Sequence, residues 1–238
     1  MNTPLLVGID VGTTSVKATL FDERGKALRT FADHHPTARP ASGFAEQNPD
    51  DWTSRVIAAL AHLSDGLPNG AVAGIGLTSQ VNTHVFLDGG GAPLLQAITW
   101  QDGRAGAEAA ELDARISTEE RIGWWGAPLP IDASHPLARA LWLQRHRPDL
   151  WARTRWLMAP KDYCIFKLTG EATADPMTAF GLIDQSLAYV PRLVDLVPGV
   201  ADRLPPSGAS RKQPARSGRD CRSPARRWSP APWMPGPG

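Results

Sequence analysis

The chain has 238 residues, with 25 Lys and Arg against 24 Asp and Glu and a formal net charge of +1, so bulk charge argues for neither nucleic acid nor a membrane surface as a partner. Its hydrophobic fraction of 42% and charged fraction of 21% are those of a globular protein with room for one large domain or two small ones. Cys164 and Cys221 are too few for a disulfide framework, no basic-then-apolar leader is expected, and no apolar run approaches the ~18 residues of a membrane span; the expected setting is cytoplasmic.

The first element is a short apolar run, Leu5-Leu6-Val7-Gly8-Ile9, closed by Asp10. It reads as a buried strand. Gly12 allows a tight turn, Thr13, Thr14 and Ser15 supply hydroxyls, and a second strand follows over residues 16–21. A carboxylate at a strand end can hold Mg²⁺ through water, and a Gly/Thr turn offers backbone N–H groups and hydroxyls to phosphate oxygens. An ordinary hairpin with a solvated Asp10 fits the same pattern. Residues 27–31 read as a third, antiparallel strand. Asn48 then suits an N-cap, Pro49 the first helical position, and Asp50 and Asp51 the first turn. Trp52, Val56, Ile57, Leu60 and Leu63 give that helix an apolar face to about residue 63.

Residues 72–78 read as a buried strand. The Gly74-x-Gly76 spacing lacks a third glycine and an opening helix, so it is no dinucleotide fingerprint, and no P-loop occurs in the chain. The polar stretch Gln80-Val81-Asn82-Thr83-His84 leaves the strand end, a common place for a binding site, and its side chains can hydrogen-bond a polyol. A polar hairpin loop with His84 pairing in the sheet is the structural alternative. Asp102 reads as the N-cap of a helix to about residue 115, and its carboxylate can also accept sugar hydroxyls. Ser134 reads as the cap of a helix through Leu137, Leu141 and Leu143, and a short helix follows from Pro148 to about Arg153. Trp124 and Trp125 stand between Gly123 and Gly126 and are the one aromatic pair to watch as a sugar platform; the other tryptophans read as core. A strand at 156–159, a helix at 160–169 ended by Gly170 and a helix from Asp175 through Ala179 complete the pattern. Cys164 reads as an inert core thiol.

Ten consecutive residues, Gly8-Ile9-Asp10-Val11-Gly12-Thr13-Thr14-Ser15-Val16-Lys17, resemble the opening of the FGGY carbohydrate kinases. The resemblance continues through Glu46-Gln47-Asn48-Pro49 to Trp52, Trp100-Gln101-Asp102-Gly103-Arg104, Pro160-Lys161-Asp162-Tyr163 and Leu168-Thr169-Gly170-Glu171, and covers roughly residues 4–205. It implies an α/β fold of the ribonuclease H-like, actin-like ATPase type. A mixed five-stranded sheet flanked by helices would form the first of two domains. It also implies a strand at residues 182–184 and a short helix within 189–196. The function implied is transfer of the ATP γ-phosphate to a sugar hydroxyl, a pentulose such as xylulose, with ATP and Mg²⁺ as cofactors. Asp10 would serve the metal, Gly12, Thr13 and Thr14 the phosphates, and Gln80, Val81, Asn82 and Asp102 the sugar. Residues 161–163 would be structural. The chain keeps the family's Gln at position 80 and departs from it afterwards. The family's general-base Asp falls beyond the matched residues, so no catalytic residue is assigned. Residues 206–238 carry Arg211, Lys212, Arg216, Arg219, Arg222, Arg226 and Arg227 against the single acid Asp220, among Pro, Ser and Gly. They read as a disordered tail of shifted reading frame. A sugar-binding remnant without kinase activity is the competing function, an actin-like assembly ATPase ranks last, and association into a homodimer is left open.

Overall fold

The alternation in the first strands becomes a sheet with one buried face in the computed structural model, which describes residues 4–208. β1 (Leu5–Val11) and β2 (Ser15–Phe21) pair antiparallel, Val11 opposite Val16, and β3 (Ala27–His34) continues the meander. Val7, Ile9, Val11, Val16, Ala18 and Leu20 all point to the buried side, as a period of two requires. After β4 (Glu46–Gln47), that face is covered by α1 (Pro49–Ser64), whose Trp52, Val56, Ala59 and Leu63 join the same apolar cluster. The start of α1 is as its sequence predicts: the Asn48 side chain accepts from the Asp50 amide, with Pro49 in the first turn.

β5 (Val72–Ser79) lies parallel to β1, giving a mixed sheet of order β3-β2-β1-β5. It is not the buried strand its apolar run suggests. It occupies the sheet edge, and Ile75 is 48% exposed. Pairing along one edge only, with Gly74 and Gly76 lying opposite Leu6 and Gly8, leaves it little to bury. This sheet has four strands rather than five. The next short strands pair off separately: β6 (Val85–Leu87) with β8 (Trp156–Met158), and β4 with β7 (Ala97–Ile98).

A second apolar cluster gathers α2 (Gly106–Asp113), α3 (Thr118–Trp125), α4 (Pro136–His146), α5 (Pro148–Arg153) and α7 (Pro191–Val194) around Phe86, Ile98, Leu112, Leu137 and Leu143. α6 (Pro160–Thr169), whose Tyr163 and Cys164 join the first cluster, ends at Gly170 with φ +75°, the left-handed closure expected there. Tyr163 on α6 donates to Asp50 on α1 at 2.9 Å, and the Lys161 amide donates to Ser79 at the end of β5. These contacts support the structural reading of residues 161–163. Burial pushes the Cys164 thiol up to about 12.

Four local expectations are corrected. Asp102 does not cap α2, which begins four residues later after Ala105 without a side-chain cap, because the Asp102 carboxylate is engaged elsewhere. His135 rather than Ser134 caps α4: Pro136 takes the first helical position, and the Ser134 hydroxyl turns back to Asp132. Asp175 opens a turn, not a helix; its carboxylate pairs with Lys161 at 2.9 Å. Residues 182–184 form one isolated bridge, Ile183 with Tyr189, instead of a strand. Residues 206–208, assigned to the tail by composition, hydrogen-bond to Ala174, and the tail from 209 to 238, with Cys221, lies outside the described residues.

Candidate functional site

The β1–β2 turn, the loop after β5 and the loop after β7 converge on one open cavity of about 600 Å³. Thr13 comes from the turn, Gln80, Val81 and Asn82 from the second loop, and Trp100, Gln101 and Asp102 from the third, with Asp132 and Ser134 closing the side before α4. Four expected sugar residues and one expected phosphate residue are therefore brought together. Gly12, Thr14 and Asp10 sit next to it along the turn rather than in its lining.

The turn is held from beneath. The Gln47 side-chain amide donates to the Thr13 carbonyl and to Thr37, both at 2.7 Å, while its oxygen accepts from Trp52 on α1 and from Gln80. His35 contacts the Gly12 carbonyl at 3.1 Å; burial lowers its pKa and keeps the ring a neutral donor. A Cβ on Gly12 would come within 3.1 Å of the Ser15 carbonyl, tighter than side chains ordinarily make, so a larger residue would press on the turn. The amides of Thr13 and Thr14 donate to no other described residue. A turn with fixed carbonyls and free amides suits phosphate oxygens. Asp10 is exposed on the sheet face opposite the helices, and no group of three or more His, Cys, Asp or Glu able to hold a metal occurs among the described residues. A lone carboxylate fits a metal that keeps most of its waters, as Mg²⁺ does, and does not fit an all-protein cage.

The four expected sugar residues divide by how free their side chains are. Val81 is 59% exposed, and Asn82 is exposed with φ +53°, a left-handed conformation that Asn adopts more readily than most non-glycine residues. Gln80 is buried: its amide donates to Gln47 at 2.8 Å and its oxygen accepts from Thr83. The Asp102 side chain is fully enclosed. It accepts from the Ala45 amide at 2.6 Å and from three nitrogens of Arg104, which also reaches Glu46 at 2.6 Å and lies over the Phe44 ring. Burial opposes ionisation of Asp102, but the Arg104 and backbone hydrogen bonds outweigh it and hold the carboxyl below the usual range. Gln80 and Asp102 thus brace the walls, leaving Asn82 and its neighbours to face an occupant.

Composition and spacing missed three occupant-facing groups. Trp100, 48% exposed, presents its indole to the cavity and donates from Nε1 to the Thr13 hydroxyl at 3.0 Å, joining the loop after β7 to the β1–β2 turn. Asp132 offers an exposed carboxylate, tied through Oδ1 to Ser134, and Gln101 offers an amide. The signal for Asp132 was the Asp-x-Ser turn that begins three residues ahead of the His135 cap. Trp124 and Trp125 pack edge-to-face at 5.8 Å against the second core cluster, away from the cavity. His84 also turns inward, pairing with Ile98, and burial holds its pKa well down.

A sequence profile for the N-terminal domain of the FGGY family of carbohydrate kinases matches residues 5–196. This chain belongs to the FGGY family. Among curated FGGY relatives, the xylulose kinase of Lactococcus lactis subsp. lactis (strain IL1403) is 31% identical over 185 residues, 75% of this chain and 35% of that protein. The xylulose kinase of Escherichia coli (strain K12) is 30% identical over 177 residues, 74% of this chain and 36% of that protein. The chain therefore spans about a third of the length of the curated relatives it matches. Among solved FGGY structures, xylulose kinase from Rhodospirillum rubrum has a TM-score of 0.78 at 28% identity, covering 85% of this chain and 42% of that one. Gluconate kinase from Lactobacillus acidophilus has a TM-score of 0.78 at 25% identity, covering 86% and 42%. The mixed sheet flanked by helices is thus the FGGY fold. No helix among the described residues is long and apolar enough to cross a membrane.

Proposed function

We propose that this chain is the sugar-binding domain of an ATP-dependent carbohydrate kinase that passes the γ-phosphate to a hydroxyl of a pentulose such as xylulose. The observation that carries the reading is the hydrogen bond from Trp100 to Thr13: one cavity is walled on one side by polyol-suited side chains and on the other by a turn with free amides. Asn82 can donate to and accept from sugar hydroxyls, Asp132 accepts them, and the Trp100 indole offers an apolar face to the C–H side of a sugar. Gly12, Thr13 and Thr14 bind phosphate oxygens of ATP, and Asp10 holds Mg²⁺ through water. The metal supplies charge neutralisation on the phosphates. The chain's residues orient the acceptor hydroxyl toward the turn. The sugar kinases among its relatives support this substrate class.

The test is calorimetric titration of the chain with D-xylulose, D-ribulose, glycerol and D-gluconate, with ADP release measured in MgATP. Binding of a pentulose, abolished in Asn82→Ala and weakened in Trp100→Ala, is the expected result. Absence of binding to every sugar at millimolar concentration overturns the reading. A second reading is a sugar-binding module without phosphate transfer. It draws on the occupant-facing groups Asn82, Trp100 and Asp132, which suit a sugar by themselves, and on the general base that the family resemblance puts outside the matched residues. Sugar binding without ADP release favours it.

A further inference from the structure

α4 sends one cation under the cavity. The Arg139 side chain is fully buried and forms no ion pair with any described residue. Its Nη1 lies within hydrogen-bond reach of three acceptors, the Asn82 carbonyl at 2.5 Å, the His84 Nδ1 at 2.7 Å and the Ile98 carbonyl at 2.9 Å, which share its two hydrogens, while Nη2 donates to the Thr99 carbonyl. Nε has no partner. Asn82 belongs to one cavity wall, and Thr99 immediately precedes Trp100 in the other.

We propose that Arg139 is a positioning residue: its guanidinium fork locks the Asn82 wall and the Trp100 wall into one register and so fixes the shape of the sugar cavity. A buried cation with no carboxylate within 4 Å is costly to desolvate, and the charges of Asp102 and Asp132 offset only part of that cost. Burial pushes this guanidinium down to about 9, which leaves it charged near neutral pH. Core packing alone does not call for a charge here. Two features show what it does. Its acceptors are the His84 ring and carbonyls of two separate segments, the loop after β5 and the end of β7 with Thr99 beyond it, and one of them belongs to Asn82, whose backbone is held at φ +53°. A planar fork reaches several carbonyls in fixed directions, whereas a lysine ammonium is a point donor on a flexible stem. Arg139→Lys therefore keeps the charge and loses the register.

The inference rests on the sugar-binding reading of the cavity, so the experiment has two arms. In the first, hydrogen–deuterium exchange is followed without sugar in the 238-residue chain and in Arg139→Lys and Arg139→Met. The amides of His84, Ile98, Trp100 and Asp102, which bridge or brace the walls, should exchange at least about 10-fold faster in Arg139→Lys, while those of α1 stay unchanged. In the second, D-xylulose is titrated into the same proteins. Arg139→Lys should bind about 10- to 100-fold more weakly, the loss expected for charged hydrogen bonds, with α1 protection intact. Wall amides that are unmoved in Arg139→Lys overturn the proposal, as does acceleration that is uniform over α1 and the walls, which is the signature of a merely structural arginine. Unchanged affinity alongside loosened walls also overturns it. If the unaltered chain binds no sugar, the reading of the cavity fails, and the exchange arm still decides whether Arg139 sets the walls. Arg139→Met serves as the severe case, and Arg139→Lys decides the matter even where Arg139→Met does not fold.

Discussion

Replacing Asp102 by Asn separates a bracing role from a sugar contact. The native carboxylate is enclosed, accepts four hydrogen bonds and pairs with Arg104, whose side chain is 3% exposed. Asn cannot accept two guanidinium bonds and the Ala45 amide together, and it turns donor hydrogens toward donors. Breaking one side of a buried pair costs about 3–5 kcal/mol. Glu46 still holds Arg104 at 2.6 Å, and the Phe44 ring still lies 3.8 Å from the guanidinium carbon, so the lower end, about 3 kcal/mol, applies. For a domain of this size that corresponds to a midpoint lowered by about 6–12 °C. The assay is urea denaturation at pH 7 with calorimetric melting alongside. A loss below about 1 kcal/mol, within the range of surface pairs, refutes the bracing argument. The pH sign follows from the depressed native carboxyl: its contribution is present above the unfolded Asp value and disappears as pH falls through the native one, so Asp102→Asn should remove part of the acid sensitivity below about pH 4.

His135 provides an acid-sensitive contribution at higher pH. Burial holds its native pKa at about 4, with Nδ1 accepting from the Leu137 amide and Nε2 donating to Gly181. The unfolded chain takes up a proton first, so stability should fall as pH drops from about 6.5 toward 4, by up to about 3 kcal/mol, and urea midpoints in His135→Gln should show a flatter profile. Gly91 has φ +79°, and a Cβ there would lie 2.5 Å from the Phe166 ring; Gly91→Ala should cost about 2 kcal/mol or more, and a loss below about 1 kcal/mol in urea titration would refute this. Cys164 should resist alkylation at pH 8 in the native chain and react once urea unfolds it, as read by peptide mass mapping.

What could be read from the residues was whatever depends on neighbours in sequence. The Asn48-Pro49-Asp50-Asp51 start of α1 and the Gly170 stop of α6 are local chemistry, and both hold. The apolar run gave β1 as a buried strand, whereas only alternate residues of it are buried and Leu6 and Asp10 are exposed. The exposure of β5 was hidden because an apolar run does not reveal whether one edge or two will be paired. Asp102 misled because a carboxylate before a helix reads as a cap, whereas Ala45 and Arg104, the former 57 positions away, claim both oxygens. The cavity set Gln80, Val81, Asn82 and Asp102 was found as positions, but not as roles. Gln80 is taken up by Gln47, and the Trp100 indole is tied to Thr13, 87 residues distant. Arg139 gave no signal at all, since its acceptors are mostly backbone carbonyls.

The register of β5 also orders events in time. Val11 pairs with Val16 across a short turn, but with Ser79 only after α1 has been laid down. Closing that longer loop costs about 2 kcal/mol more chain entropy. The β1–β2–β3 meander and α1 can therefore assemble early, and β5, with the cavity loops that follow it, docks late. Contacts absent at the folding barrier act on the return journey. A sugar held between Asn82 and Trp100 should slow unfolding of the chain in proportion to its occupancy, and leave the refolding rate nearly untouched.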